Sequence, residues 1–268
     1  MASDTNLLNL SNAEQILYST VFVETIDGDS RATGTAFFHQ FTMPNGRSAV
    51  SLVSCRHVLG GAQTLRFWCP IQRADGHPSD RHADIMFRLD RNVTTHPDSD
   101  IDLAGVIIHH IDNAPFLKGE KLFYRALSEA LIPDHSQWED LSVADPIFVP
   151  GCPAGLFEKQ DRTPFFRSGI IASLPRDSLR PHFYIDMPTI NGASGSPVII
   201  DSHFSFNRAG GGYELRNRFY LIGIVTDGLE FTHQNGNQDL HFGKVVRANN
   251  LRQLNAAILN DTRERDTD

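Results

Sequence analysis

The chain has 268 residues, which is enough for one large all-β unit or two ordinary domains with a buried core. Its composition, with 40% hydrophobic and 21% charged residues, is typical of a folded protein and excludes a disordered or fibrous one. The net charge of -8 argues against nucleic acid as a partner, because phosphate binding needs a basic surface. It also argues against binding to an anionic membrane surface.

The N-terminal segment has neither a positively charged region nor an apolar run of signal-peptide length, and no later apolar run approaches the ~20 residues that span a bilayer. The three cysteines, Cys55, Cys69 and Cys152, are an odd number without the spacing of a disulfide framework. We therefore expect free thiols in a reducing compartment, which predicts a cytoplasmic protein. The cysteines also lack the CxxC-type pair of a zinc site, and we expect neither a metal nor a cofactor.

Helix and strand signals alternate with polar breaks along the chain. Ser11 followed by Glu14 is a capping box, which predicts a short helix over residues 12–18. After it come short β-rich runs, namely TGTAFF, SAVSLVSC, TLRFW, ADIMF, LAGVII, DPIFVP, SGIIASL, HFYIDM, PVII, FYLIGIV and FGKVV. Strands at this spacing favour a sandwich or a barrel over alternating βαβ units. We also expect one helix over 122–132 and another over 248–259.

Three segments carry residue types that serve nucleophilic catalysis. His57 follows an apolar run in SLVSCRHVLGGA, an acidic cluster enters an apolar strand in HPDSDIDLAGVII, and Ser194 precedes a strand in INGASGSPVII. A serine hydroxyl is a poor nucleophile at neutral pH and needs an imidazole to accept its proton, while a buried carboxylate holds that imidazole in the right tautomer. Small residues beside the serine allow a tight turn whose N–H groups can face a developing oxyanion.

In this order these segments resemble the chymotrypsin-like serine proteases, particularly the bacterial branch that includes the high-temperature-requirement proteases. The likeness extends over about residues 20–258. It implies an all-β fold of two six-stranded antiparallel β-barrels, with the active site between them and a C-terminal α-helix. It also implies a single peptidase domain, with the first barrel at 19–115, a helix-bearing linker at 116–139, the second barrel at 140–247 and a closing helix at 248–260.

The resemblance implies a serine endopeptidase that hydrolyses peptide bonds in protein or peptide substrates through an acyl-enzyme intermediate. It makes Ser194 the nucleophile, His57 the general base, and the backbone N–H groups of Gly192 and Ser194 the oxyanion hole. Two aspartates are candidates for orienting His57. Read as DLAGVI, the segment selects Asp102 and places it against the apolar strand; read as DIDL, it selects Asp100. We favour Asp102 and keep Asp100 as the alternative.

The resemblance also indicates where substrate binds. It places the specificity pocket near Pro188, Thr189, Thr226, Gly228 and Phe242. No charged side chain stands at the expected base of this pocket, which predicts a small or medium apolar residue at P1, the substrate residue before the cleaved bond.

Other features limit what the resemblance implies. Ala193 precedes the serine where relatives often have Asp or Asn, which argues against activation by a newly cut N-terminus. The resemblance leaves room for a regulatory protein partner. Two other functions stay open: a binding or scaffold module that kept the fold and lost turnover, and an esterase that uses the same triad.

Metal binding fits the motifs less well. The acidic cluster alternates like the start of a calcium loop, but that loop needs Gly and Glu where this chain has Leu103 and His109. The adjacent His109 and His110 would point to opposite faces of a strand, so we expect them to be structural.

Overall fold

The computed structural model describes residues 10–89, 92–108, 111, 114–158, 162–175, 180–207, 212–233 and 236–265. In these ranges the chain forms two β-sheets, accompanied by helices near both ends and in the middle. His109 and His110, for which a structural role was expected, lie outside the described residues.

The first sheet comes from the N-terminal half of the chain. Its strands are β1 (Thr20–Asp27), β2 (Ser30–Thr42), β3 (Ser48–Ser54), β4 (Thr64–Gln72), β5 (Pro78–Arg88), β6 (Val93–Thr95), β7 (Ala104–Ile107) and β8 (Leu127–Ser128). They lie in the order β5-β4-β1-β2-β3-β7-β6, and β8 pairs in parallel with β2. Every second residue of β4 is buried, so Leu65 and Phe67 face a core that they share with Leu52 and Val106.

This first sheet is not the closed six-stranded barrel that the resemblance implied. Among the described residues its edge strands β5 and β6 do not pair with each other, and it has eight strands. All the ladder contacts of β6 are made with β7. Because β6 has only three residues, it offers few backbone groups to a further strand, and the sheet stays open while still curving around one core.

The second sheet is a closed antiparallel barrel of six strands, as predicted. Its strands are β9 (Pro146–Gly151), β10 (Phe165–Ile171), β11 (His182–Asp186), β12 (Pro197–Asn207), β13 (Gly212–His233) and β14 (Gly236–Arg247). They close in the order β10-β11-β14-β13-β12-β9. The interior is apolar and includes Ile147, Ile185, Val198, Ile222 and Val245.

Four α-helices accompany the sheets in the described part of the chain: α1 (Asn12–Leu17), α2 (Arg56–Leu59), α3 (His135–Glu139) and α4 (Asn250–Arg265). The predicted capping box is confirmed at α1, where the Glu14 N–H donates to Ser11 Oγ at 3.3 Å and the Ser11 N–H donates to Glu14 Oε2 at 2.7 Å. The predicted C-terminal helix is also present as α4. No helix in these ranges combines the length and apolar character needed to cross a bilayer.

The helix predicted over 122–132 is wrong. This segment instead runs along the first sheet and holds the short strand β8 and a 3-10 turn at Glu129–Leu131. Its backbone donors go to distant parts of the chain: the Phe123 N–H donates to Pro70 O of β4 at 2.7 Å, and the Arg125 N–H donates to Tyr18 O at the end of α1 at 3.0 Å. Tertiary hydrogen bonds therefore override the helical pattern of the sequence.

Helix α4 follows the second barrel in the chain but packs against the first sheet. A Cβ atom added to Gly105 of β7 would lie 3.0 Å from Ile258 Cδ1, and Thr94 Oγ1 donates to Asp261 Oδ2 at 2.6 Å. The apolar side of α4 belongs to a cluster that takes residues from both sheets, including Phe37, Val53, Ile224, Val246, Leu254 and Ile258. Both sheets and α4 thus share one apolar cluster in addition to the core of each sheet.

Candidate active site

His57 lies directly after the first sheet. Strand β3 ends at Ser54, and helix α2 begins at Arg56, so the chain turns at Cys55 and directs His57 toward Asp102. His57 Nδ1 lies 2.6 Å from Asp102 Oδ2, and the His57 backbone N–H donates to Asp102 Oδ1 at 3.1 Å. Both carboxylate oxygens therefore hold His57, through its ring and its backbone. With the proton on Nδ1, Nε2 is left as the basic nitrogen.

Of the two candidate aspartates, the structure brings Asp102 to His57. Asp102 lies two residues before β7, between the buried residues Ile101 and Leu103. Asp100 lies in the preceding exposed loop, where its N–H donates to Asp98 Oδ1 at 2.9 Å. The difference follows from the apolar neighbours of Asp102, which anchor it against the sheet.

The hydrogen bond between His57 and Asp102 shifts the pKa of both groups. The hydrogen bond that His57 donates to Asp102 raises the pKa of His57 above its ordinary value, against the opposing effect of burial. Burial acts to raise the pKa of Asp102, but the hydrogen bond and charge of His57 outweigh it and hold that pKa below its ordinary value. The Asp102 carboxylate is therefore ionised at neutral pH and favours a proton on His57.

Ser194 lies in the tight turn that precedes β12. Its flanking residues Gly192 and Gly195 both have a φ of 92°, a conformation that favours glycine. A Cβ atom at Gly192 would lie 2.6 Å from Cys152 O, and one at Gly195 would collide with the Thr35 carbonyl. The close approach of this turn to residues 152–155 therefore requires glycine at position 192, and its close approach to β2 of the first sheet requires glycine at position 195.

The Ser194 hydroxyl is held by the wall of the second barrel. Ser194 Oγ donates to Thr226 O at 3.1 Å and is not hydrogen-bonded to His57 in this structure. Cys55 Sγ donates to the adjacent carbonyl of Val225 at 3.3 Å. The His57 segment and Ser194 are thus anchored to consecutive residues of β13, although the structure contains no direct bond between the two side chains.

Thr35, on β2, joins the Ser194 turn to the first sheet, and the sequence analysis did not identify it as a site residue. Its N–H donates to Ser194 O at 3.0 Å, and its hydroxyl donates to Gly192 O at 2.8 Å. The same hydroxyl accepts the Cys152 N–H at 2.9 Å, and its carbonyl accepts Ser54 Oγ at 2.6 Å. Thr35 belongs to the TGTAFF segment that was predicted as a strand, but its hydrogen-bond partners are distant in the chain and the segment gave no sign of them.

The peptide between Asn191 and Gly192 has a defined orientation. Its carbonyl accepts a hydrogen bond from the Ala154 N–H. Because a trans peptide is planar, the Gly192 N–H points to the opposite side, away from residues 152–155. Neither the Gly192 nor the Ser194 N–H has an acceptor among the residues that the structure describes.

Cys55, His57 and Asp102 each place a potential ligand atom within 4.8 Å of the others. Burial raises the pKa of the Cys55 thiol well above its ordinary value, and the nearby Asp102 and Asp227 charges add to this effect. A protonated, fully buried thiol is a poor nucleophile. The Cys55 thiol therefore does not fit the role of a cysteine nucleophile.

The predicted free thiols are confirmed, since Cys55, Cys69 and Cys152 are all buried and unbridged. Burial raises the pKa of Cys152 to about 12.

A cavity of about 240 Å³ opens beside Ser194. One side is formed by Thr189, Ile190, Asn191, Ala193 and Ser194, and the other by Val225, Asp227 and Gly228.

Two of the five predicted pocket residues, Thr189 and Gly228, line this cavity. The other three lie behind the lining and accept hydrogen bonds through their carbonyls. Pro188 O accepts from Arg167 Nη2 at 2.5 Å, and Thr226 O accepts from Ser194 Oγ at 3.1 Å. Phe242 O accepts from Thr189 Oγ1 at 3.2 Å.

Asp227 is the lining residue that most changes the character of the cavity, and the sequence analysis missed it. It follows the predicted pocket residue Thr226 directly, so its position beside Gly228 was the available signal. Its acidic side chain means that the cavity wall is not uncharged, unlike the pocket base expected from the sequence.

The curved first sheet, the closed six-stranded barrel and the terminal helix define the chain as having the trypsin-like serine protease fold. An HtrA-type protease, AlgW, solved with a tripeptide, matches with a TM-score of 0.50 and 17% identity over 92% of this chain and 62% of the AlgW chain. The chain thus spans less than two thirds of the length of AlgW.

Two further serine proteases match at slightly higher TM-scores. The active form of the Rv3671c protease from M. tuberculosis gives a TM-score of 0.51 and 16% identity, over 96% of this chain and 88% of that one. The serine endoprotease from Yersinia pestis gives 0.51 and 14%, over 95% and 69%. At these identities the likeness defines the fold. No family model and no curated protein matches the chain.

Proposed function

We propose that the protein is a serine endopeptidase that cleaves protein or peptide substrates through an acyl-enzyme intermediate. The observation that carries the proposal is the Asp102 carboxylate, which holds both the Nδ1 and the backbone N–H of His57. The Ser194 turn lies against the same region of β13 as the His57 segment. The trypsin-like fold of the chain supports the same conclusion.

In the proposed mechanism, Ser194 Oγ turns from Thr226 O toward His57 Nε2, which accepts its proton as Oγ attacks the scissile carbonyl. Asp102 keeps the other ring nitrogen protonated and stabilises the imidazolium that forms. His57 then passes the proton to the leaving amine, and water repeats the sequence to release the acyl group. The hydrogen bond between a nucleophilic serine and its histidine is often long or poorly aligned before substrate binds.

The Gly192 and Ser194 N–H groups form the proposed oxyanion hole. The hydrogen bond between Ala154 and the Asn191 carbonyl supports this role, because it turns the Gly192 N–H away from residues 152–155. Donors that are oriented in advance stabilise a developing negative charge without reorganising, and one such donor contributes about 10²–10³ in rate. Apart from substrate and water, these steps use only groups of the chain itself.

We further propose a single peptidase domain in a cytoplasmic, reducing environment. The three buried, unbridged thiols support this location.

A fluorophosphonate probe tests the nucleophile directly, because it reacts with an activated serine. We expect the wild-type protein to be labelled, and Ser194→Ala and His57→Ala to be unlabelled while retaining the wild-type circular dichroism spectrum. Labelling of Ser194→Ala at the wild-type level would refute the assignment. A folded wild-type protein that resists the probe would instead favour a silent binding module. Matched peptide and ester substrates, measured side by side, separate the protease from the esterase.

The matched pair Asp102→Asn and Asp100→Asn tests the base. We expect Asp102→Asn to lower kcat by about 10⁴, because His57 loses its tautomer, and Asp100→Asn to retain most activity. In the wild type, kcat/KM should rise with pH as His57 loses its proton, with a midpoint above that of an ordinary histidine. Equal activity of the two variants would contradict the role of Asp102.

A further inference from the structure

Asp227 places a carboxylate on the wall of the cavity beside Ser194. The side chain is exposed, and the preceding residue, Thr226, accepts the Ser194 hydroxyl. Among the described residues that line the cavity, Asp227 is the only one with an ionisable carboxyl, amine, guanidinium or imidazole group. Whatever enters this cavity therefore meets one fixed negative charge close to the nucleophile.

Among the described residues, no ion pair within 4.0 Å holds this carboxylate. Lys244 is the cross-strand partner of Asp227, but the ladder is irregular between Val225 and Asp227, and the two side chains form no ion pair within 4.0 Å. Asp227 Oδ1 accepts the N–H of Gly228 at 2.8 Å, which fixes the carboxylate and leaves its second oxygen for another donor.

The charge of Asp227 also reaches the catalytic groups. The hydrogen bond that His57 donates to Asp102 is the main cause of the raised pKa of His57, and the Asp227 charge raises it further. The same charge contributes to the raised pKa of Cys55. Asp227 is therefore close enough to the reacting centre to act on both the substrate and the base.

Among the described residues that line the cavity, no other side chain is charged; just outside the lining, the Arg167 guanidinium donates to the carbonyl of Pro188, next to Thr189. Thr189 closes one end, wedged between two glycines: a Cβ atom at Gly228 would lie 2.5 Å from Thr189 Oγ1, and one at Gly243 would lie 2.7 Å from Thr189 Cγ2. The Thr189 hydroxyl is occupied by Phe242 O. Among the lining residues, selectivity based on charge therefore comes from Asp227.

We propose that this cavity selects a substrate residue with a cationic side chain, Lys or Arg, whose charge is paired by Asp227. The inference rests on the proposed endopeptidase function and replaces the apolar preference expected from the sequence. A carboxylate beside a partly desolvated cavity attracts a cation more strongly than the same group in open water. The same carboxylate repels an acidic substrate residue, because like charges that meet in the cavity are unfavourable.

The test compares peptides that differ only in the residue before the cleaved bond: Lys, its uncharged analogue norleucine, or Glu. We expect the wild type to cleave the Lys peptide about tenfold faster than the norleucine peptide, as measured by kcat/KM, with Glu the poorest. Asp227→Asn should reduce the Lys advantage to about twofold or less. Asp75→Asn, which removes an equal charge from the turn between β4 and β5, should leave the advantage unchanged.

The pH profile provides a second readout that a merely structural role would not affect. With the norleucine peptide bound, Asp227 still raises the pKa of His57, whereas a bound Lys side chain partly cancels that field. The kcat midpoint should therefore lie at lower pH for the Lys peptide than for the norleucine peptide. This difference should vanish in Asp227→Asn, whose midpoint should also lie below that of the wild type.

Binding to Ser194→Ala, followed by fluorescence anisotropy of the labelled peptides, separates the two proposals. Tighter binding of the Lys peptide, lost on adding Asp227→Asn, supports the cationic preference even without turnover. Equal cleavage or binding of the Lys and norleucine peptides overturns the role of Asp227 and leaves the endopeptidase proposal intact. Lys-selective binding by a folded wild-type protein that the fluorophosphonate does not label overturns the endopeptidase proposal instead.

Discussion

Thr35 illustrates how much of the site depends on one small side chain. Its backbone and hydroxyl make hydrogen bonds to Ser194, Gly192 and Cys152, so β2 of the first sheet holds the Ser194 turn of the second barrel. The hydroxyl donates to one partner and accepts from another. An apolar side chain of the same shape makes neither of these hydrogen bonds.

We predict that Thr35→Val lowers kcat by about 10- to 100-fold, because each buried partner left without a hydrogen bond costs about 1–3 kcal/mol. KM should change less, since the lost bonds orient the oxyanion turn and not the substrate. Steady-state kinetics with a peptide substrate measure both parameters. Thr35→Ser keeps the hydroxyl and should restore most of kcat; equal loss in Ser and Val variants would show that the methyl group matters instead.

Among the secondary-structure elements, α4 is held to the first sheet by a buried histidine. His39 of β2 lies with Nδ1 2.9 Å from Leu127 O and Nε2 3.2 Å from Asn255 Nδ2. The carbonyl accepts from Nδ1–H and the amide donates to Nε2, so both bonds require the neutral ring. Burial lowers the pKa of His39 to about 4, although the Leu127 carbonyl opposes this effect.

This lowered pKa predicts acid sensitivity. In the unfolded chain His39 binds a proton near its ordinary pKa of 6.5, whereas in the folded protein it does so only near 4, so the unfolded state gains protons first as the pH falls. The contribution of His39 is full above pH 6.5 and is lost as the pH falls toward 4, up to about 3 kcal/mol.

Urea unfolding at a series of pH values between 7 and 4 measures this loss. His39→Gln keeps a donor and an acceptor but does not titrate, so we expect its unfolding free energy to depend less on pH in this range. His135→Gln, at the exposed start of α3, serves as the control and should keep the wild-type pH dependence. A wild-type dependence in His39→Gln would assign the acid sensitivity to other groups.

For the molecule as a whole, the two sheets do not have wholly separate interiors. Besides the core of each sheet, a third apolar cluster takes Phe37 and Val53 from the first sheet, Ile224 and Val246 from the second, and Leu254 from α4. Separating the sheets would expose this cluster, which would cost about 25 cal/mol for each Å² of apolar surface. The halves should therefore unfold together.

The two tryptophans of the chain report on different halves: Trp68 lies on β4, and Trp138 packs with Phe183 in the core of the second barrel. In Trp68→Phe and in Trp138→Phe, the remaining tryptophan should change its fluorescence at the same urea concentration as the far-ultraviolet circular dichroism. A fluorescence transition that precedes the circular dichroism transition in either variant would show that one half unfolds alone.

Local signals in the amino-acid sequence were sufficient for much of this architecture. The capping box of Ser11 and Glu14, the alternation of β4 and the tight glycine-flanked turn around Ser194 each depend on residues within a few positions of one another. The order of the histidine, aspartate and serine segments also indicated the fold through its resemblance to a known family. These features could be predicted because their physical causes are local.

Other features depended on partners that no local pattern reveals. The segment at 122–132 is extended because Pro70 and Tyr18 accept its backbone N–H groups, and the Thr35 hydroxyl bonds to Gly192, 157 positions away. Asp227 borders the cavity only because β13 passes beside the Ser194 turn. Backbone groups and charges interact with whatever the folded chain brings near them, so these contacts were set by the packing of the two sheets.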